Sequence, residues 1–123
     1  MTLIIADEGL GKSTLIRDYL AVRAEAHIRF TAGPEHAALG ELLRGLATAF
    51  GAANPAMARS FAPASLQLEQ PDGEAAALSW VREHLGDMRA TMVLDEMHHV
   101  VADARSASFL TSLIDATIPN LQW

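Results

Sequence analysis

The chain has 123 residues, half of them hydrophobic, which is enough for one buried core and too few for two separate domains of ordinary size. Its 9 Lys and Arg against 15 Asp and Glu give a net charge of −6, which argues against a broad basic face for gripping nucleic-acid phosphates. The absence of cysteine excludes a disulfide scaffold and thiol chemistry, and no apolar run approaches the roughly 18 residues of a membrane span.

In chain order, Thr2 to Ala6 forms a short apolar β run that leads directly into a Gly-containing turn. The segment after it carries Leu15, Ile16, Tyr19 and Leu20 at helical spacing, so the chain opens as strand, turn, helix. His27 to Thr31 is a second strand, ended by Gly33-Pro34, where Pro34 suits the first turn of a helix. That helix, Glu35 to about Phe50, lines up Leu39, Leu42, Leu43, Leu46 and Phe50 on one stripe. Gly40 and Gly45 each weaken it by about 1 kcal/mol relative to Ala.

Gly51 to Gly73 is Ala- and Pro-rich, with Pro55, Pro63 and Pro71 and no sustained periodicity. It reads as a long connection, lid or linker, with one short helix after Asn54. A helix from Glu74 to Leu85 turns Leu78, Val81 and Leu85 inward and ends at Gly86. Ala90 to Asp95 is a strand apolar enough for burial on both faces, as parallel strands are. A last helix, Ala104 to Ala116, aligns Phe109, Leu110, Leu113 and Ile114, and Pro119 stops it before Asn120 to Trp123 starts another strand. This alternation predicts a single α/β domain over residues 1–123, three-layered, with a mainly parallel sheet.

Two segments carry chemistry. A-D-E-G-L-G-K-S-T, from Ala6 to Thr14, follows a strand and precedes an amphipathic helix, the context of a phosphate-binding loop. In such a loop the backbone N–H groups of Ala6, Asp7, Glu8, Gly9, Leu10, Gly11, Lys12, Ser13 and Thr14 surround phosphate, Lys12 reaches the β- and γ-oxygens, and the Ser13 hydroxyl ligates Mg²⁺. Ala6 stands where the pattern has its first Gly, which requires a negative φ there. Asp7 and Glu8 must point to solvent, since carboxylates repel a triphosphate.

M-V-L-D-E, from Met92 to Glu96, is the second segment: an apolar strand ending in adjacent carboxylates. Asp95 suits the water shell of the metal and Glu96 the water that attacks phosphorus. Neighbouring strand residues point to opposite sides, which separates the two roles. A small GTPase has D-x-x-G here, whereas this chain has His98 at the last position, and the Glu directly after the Asp favours ATP. His98 is a candidate sensor of the γ-phosphate, with a hydrogen-bonded structural role as the alternative, and His99 is read as structural. The pair lacks the spacing and companions of a zinc site. Arg17, Arg23, Arg29, Arg44, Arg82 and Arg89 are assigned mostly to polar helix faces, none of them an arginine finger, and Trp80 is assigned to packing.

Taken together, these residues resemble the ATPase module of the signal-transduction ATPases with numerous domains, the STAND class. The similarity is to the maltose-regulator type at the N-terminus of LuxR-family transcriptional regulators. Their phosphate loop often begins with Ala and ends G-K-T-T-L, similar to the loop here, and their acidic strand ends in L-D-D or L-D-E with a His shortly after, similar to V-L-D-E-M-H-H-V at Val93 to Val100. F-L-T-S-L-I-D-A-T-I-P-N-L-Q-W, from Phe109 to Trp123, looks like the approach to that family's next strand. With no basic n-region and long h-region at its start and no membrane span, the chain is expected in the cytoplasm without a membrane partner. The resemblance implies an ATP–Mg²⁺ switch module of a larger regulator, with the other domains of that parent as partners and oligomerisation on nucleotide binding. It also implies that DNA is reached only through a C-terminal domain beyond Trp123, and that the fourth strand, usually placed between the phosphate-loop strand and the acidic strand, is mostly missing. ATP hydrolysis is expected of the parent and left open for this chain.

Two other classes fit the same motifs. A fragment of a superfamily-2 DExH helicase would match A-x-x-G-x-G-K-S at Ala6 to Ser13 and D-E-x-H at Asp95 to His98. Against it stand G-P-E-H-A-A-L-G after the second strand, which does not match the helicase strand-binding segment, and the acidic balance. The third class is a non-hydrolysing module that binds nucleotide or only a partner chain, motivated by Asp7 and Glu8.

Overall fold

The computed structural model describes residues 11–22, 26–53, 55, 73–85, 89–117 and 121–122. The first strand, the loop from Ala6 to Leu10 and nearly all of the Pro-rich connection fall outside the described residues.

Three strands form one parallel sheet in the order β1 (His27–Thr31), β2 (Ala90–Asp95), β3 (Leu121–Gln122). The β1–β2 register pairs His27 with Thr91 and Thr31 with Asp95, and β3 pairs through Leu121 with Ala90. The acidic strand therefore lies between the second strand and the one that closes the sequence, on the side where the resemblance places a fourth strand. Both internal strands have the boundaries expected from the sequence.

Alternation makes β1 two-faced: Ile28 and Phe30 are buried, while His27, Arg29 and Thr31 are exposed. In β2, Ala90, Thr91 and Met92 are buried and Val93, Leu94 and Asp95 are half-buried, so two-sided burial holds only at the amino end of this strand. The apolar face receives α2 (Leu39–Ala53), whose Leu42, Leu43, Leu46 and Phe50 are buried along the expected stripe. Around it pack Ala77 and Val81 of α3 (Gly73–Leu85) and Phe109, Leu110 and Leu113 of α5 (Ala104–Thr117). Leu42, Phe50, Phe109 and Leu113 are almost completely enclosed, so each deleted side chain there would cost about 2–5 kcal/mol.

The helix expected from Glu35 is broken in two. Pro34 to Ala37 forms a 3₁₀ turn, Ala38 is extended (φ −76°, ψ 128°), and α2 begins only at Leu39. Two side-chain contacts explain the break. His36 closes the turn by accepting the Gly33 N–H on Nδ1 (2.8 Å). The Ala37 carbonyl, which a continuous helix would pair within itself, accepts the hydroxyl of the fully buried Ser106 instead (2.7 Å). Ala38 then starts α2 with its own carbonyl, which accepts the Glu41 and Leu42 N–H groups at 3.0 Å.

Asp103 starts α5 in the same economical way, its Oδ1 accepting the Ser106 N–H (2.8 Å) and its carbonyl the Ala107 N–H (3.0 Å). The Ser106 N–H bond is the main cause that holds the exposed Asp103 carboxyl below its usual range. The one-turn helix α4 (His98–Val101) was not expected from the sequence; its Val100 is completely buried and anchors the loop after β2 to the core. No helix among the described residues is long and apolar enough to cross a membrane.

Candidate functional site

Of the phosphate-loop residues, Gly11, Lys12, Ser13 and Thr14 are described, whereas Ala6, Asp7, Glu8, Gly9 and Leu10 lie outside the described residues. Gly11 has φ 77° and ψ 18°, the left-handed region that glycine enters without penalty. Its carbonyl accepts the Leu15 N–H (2.9 Å), so the turn passes straight into α1 (Lys12–Ala21). Lys12, Ser13 and Thr14 thereby form the first turn of a ten-residue helix, where backbone N–H groups have no partner within the helix and the positive end of the dipole favours an anion. On α1 the least exposed side chains are Lys12, Ile16 and Leu20, one line at i, i+4 and i+8, while Leu15 and Tyr19 are exposed.

Asp95 closes β2 at its carboxyl end, the end where open parallel sheets place their ligands. Its backbone is held by the Ala32 N–H, which donates to the Asp95 carbonyl (2.9 Å) and extends the pairing with β1 by one step. Its side chain is only 12% exposed and both oxygens are engaged: Oδ2 accepts from Arg29 Nη2 (2.7 Å) and Oδ1 from the Glu96 N–H (3.1 Å). Arg29 is not on a helix face: it stands on the exposed face of β1, opposite Val93 and one diagonal step from Asp95. The pair depends on the register of β1 against β2, which no pattern within either strand encodes.

Glu96 is not a strand residue. The chain leaves β2 at Asp95, and Glu96 takes φ 56°, the one non-glycine residue with positive φ among those described. A turn therefore separates the two carboxylates, where strand alternation was expected to do so. The Glu96 carbonyl accepts the His99 N–H (3.3 Å), and Glu96 Oε2 lies 3.3 Å from His98 Nδ1. The His98 ring packs on His99 with centroids 3.9 Å apart. His98 lies within reach of Glu96, on the exposed side of α4.

The donor chemistry suits Mg²⁺, a hard cation that keeps several waters and takes one or two protein oxygens together with substrate phosphates. A carboxylate at Asp95 and a hydroxyl at Ser13 are donors of that kind. No cluster of three His, Cys, Asp or Glu side chains arranged for a metal occurs among the described residues.

A family model described as an AAA domain matches residues 1–121, and the chain belongs to that family. It is an AAA-like P-loop NTPase domain, a nucleotide-binding α/β module, in agreement with the parallel sheet and the glycine-to-helix turn. No curated protein and no solved structure matches the chain.

Proposed function

We propose that this chain is the ATP–Mg²⁺-binding switch module of a regulatory ATPase of the STAND type. The observation that carries the proposal is the left-handed Gly11 feeding a helix that opens on Lys12, Ser13 and Thr14, in a chain of the AAA-domain family. In this reading the N–H groups from Ala6 to Thr14 and the Lys12 ammonium bind the phosphates. Ser13 and Asp95 would hold the metal, Asp95 through water, and the chemistry it would supply there is positive charge to offset that of the phosphates. Glu96 would orient and deprotonate the attacking water, and His98, 3.3 Å from Glu96, would respond to the γ-phosphate through that link. Nucleotide occupancy then biases a larger regulator between states.

Equilibrium binding of a fluorescent ATP analogue tests this, with and without Mg²⁺, on wild type, Lys12→Ala and Glu96→Gln. Lys12→Ala is expected to lose at least tenfold in affinity, about 1.4 kcal/mol. Glu96→Gln is expected to bind as wild type and to turn over more slowly wherever wild type hydrolyses. Equal binding by wild type and Lys12→Ala would refute the phosphate-loop assignment.

A further inference from the structure

Asp95 is the carboxylate assigned to the water shell of Mg²⁺, yet in this structure a cation from its own chain already holds it. Arg29 Nη2 donates to Oδ2 at 2.7 Å, and the other oxygen is occupied by the Glu96 N–H. The contact is not an incidental meeting of long surface side chains, because strand pairing creates it. Thr31 is in register with Asp95, so Arg29, two residues earlier on the same face, lies diagonally beneath the carboxylate. Asp95 is largely enclosed at 12% exposure, and the guanidinium, at 44%, remains open to water. The arginine can therefore withdraw into solvent at little desolvation cost, whereas Asp95 cannot leave.

A carboxylate that serves a guanidinium and the waters of a divalent cation at once places two positive charges within a few ångströms of each other. At such separations like charges repel appreciably, even at the effective dielectric of a partly exposed site. We propose that Arg29 competes with Mg²⁺ for Asp95, so that the strand-to-strand pair must loosen for the metal–nucleotide complex to seat. Arg29 thereby sets the Mg²⁺ concentration at which nucleotide is held tightly. It is a positioning residue, acting through Asp95. The proposal rests on the assignment of Asp95 to the metal shell made above.

The test titrates Mg²⁺ into wild type, Arg29→Gln and Arg29→Met at fixed fluorescent ATP analogue and reads the half-saturating Mg²⁺ concentration. The affinity of each protein in EDTA serves as its own reference, and far-UV circular dichroism and melting confirm that each is folded. Arg29→Met keeps the aliphatic stem over β1, so the pair of variants separates loss of the charge from loss of packing. Both variants are expected to reach half-saturation at a Mg²⁺ concentration three- to tenfold lower than wild type. An unchanged or higher requirement in a folded variant overturns the competition while leaving the nucleotide site standing. Failure of wild type to bind the analogue with or without Mg²⁺ overturns both.

Discussion

Gly45 and Gly40 sit on the same helix, yet the structure predicts opposite outcomes for the same substitution. A Cβ built on Gly40 meets no atom within 4 Å. Gly40→Ala should therefore express only the reduced entropy of the unfolded chain and stabilise by about 0.5 kcal/mol. A Cβ on Gly45 would lie 2.6 Å from Phe30 Cε2, 2.7 Å from His36 Nε2 and 2.9 Å from His36 Cδ2. Neither ring can easily retreat. Phe30 is buried in β1, and His36 is fixed by the Gly33 N–H and packs edge-on against Phe30 with centroids 5.0 Å apart. Overpacking of this kind costs about 1–3 kcal/mol, and the helix preference for Ala returns at most about 1 kcal/mol. The net expectation for Gly45→Ala is a loss of about 1–2 kcal/mol, or a melting point lower by roughly 3–8 °C for a domain of this size. Urea and thermal unfolding of the two variants beside wild type decide the matter. A Gly45→Ala protein as stable as wild type would show that β1, the 3₁₀ turn and α2 do not pack as closely as described.

Asp103 contributes to an acid-dependent part of stability. Its folded-state pKa lies below the usual carboxylate value of 3.8, so the stabilisation is present above that value and fades as pH falls beneath it. Asp103→Asn, which keeps a capping oxygen, should flatten that acid limb in urea midpoints measured from about pH 2 to 6, and an identical limb would refute the assignment. The Thr91 hydroxyl is buried in β2 without a hydrogen-bond partner among the described residues. Thr91→Val should therefore raise the urea midpoint, by about 1 kcal/mol in stability at unchanged slope, and a destabilised variant would reveal a partner.

What could be read from the sequence followed from patterns that repeat within one element. The strands His27 to Thr31 and Ala90 to Asp95 and the Leu42–Phe50 stripe are each written within one element, and the structure contains all three, although the second strand is buried on both faces only at its amino end. Features set by contacts between distant segments were not legible. The break at Ala38 depends on Ser106 reaching the Ala37 carbonyl across 69 positions, and the Arg29–Asp95 pair spans 66. Gly45 looked like a weakness of its helix because helix propensity is local, while the rings that exclude a methyl there come from β1 and the 3₁₀ turn. At the site, residue types and order pointed to a nucleotide, but the partners of Asp95 and Glu96 required the register of β1 against β2 and the turn after β2.

The left-handed backbone at Glu96 has a consequence for anyone who would engineer this chain. A non-glycine residue at φ 56° carries a backbone penalty of about 1 kcal/mol that glycine avoids. Glu96→Gly relieves that strain, and the larger unfolded-chain entropy of glycine takes back part of the gain, leaving a small net stabilisation. It also deletes the acid assigned to activate water. A screen that rewarded melting temperature alone would be drawn to this position, and the more robust protein it returned would have lost the group on which the proposed chemistry depends.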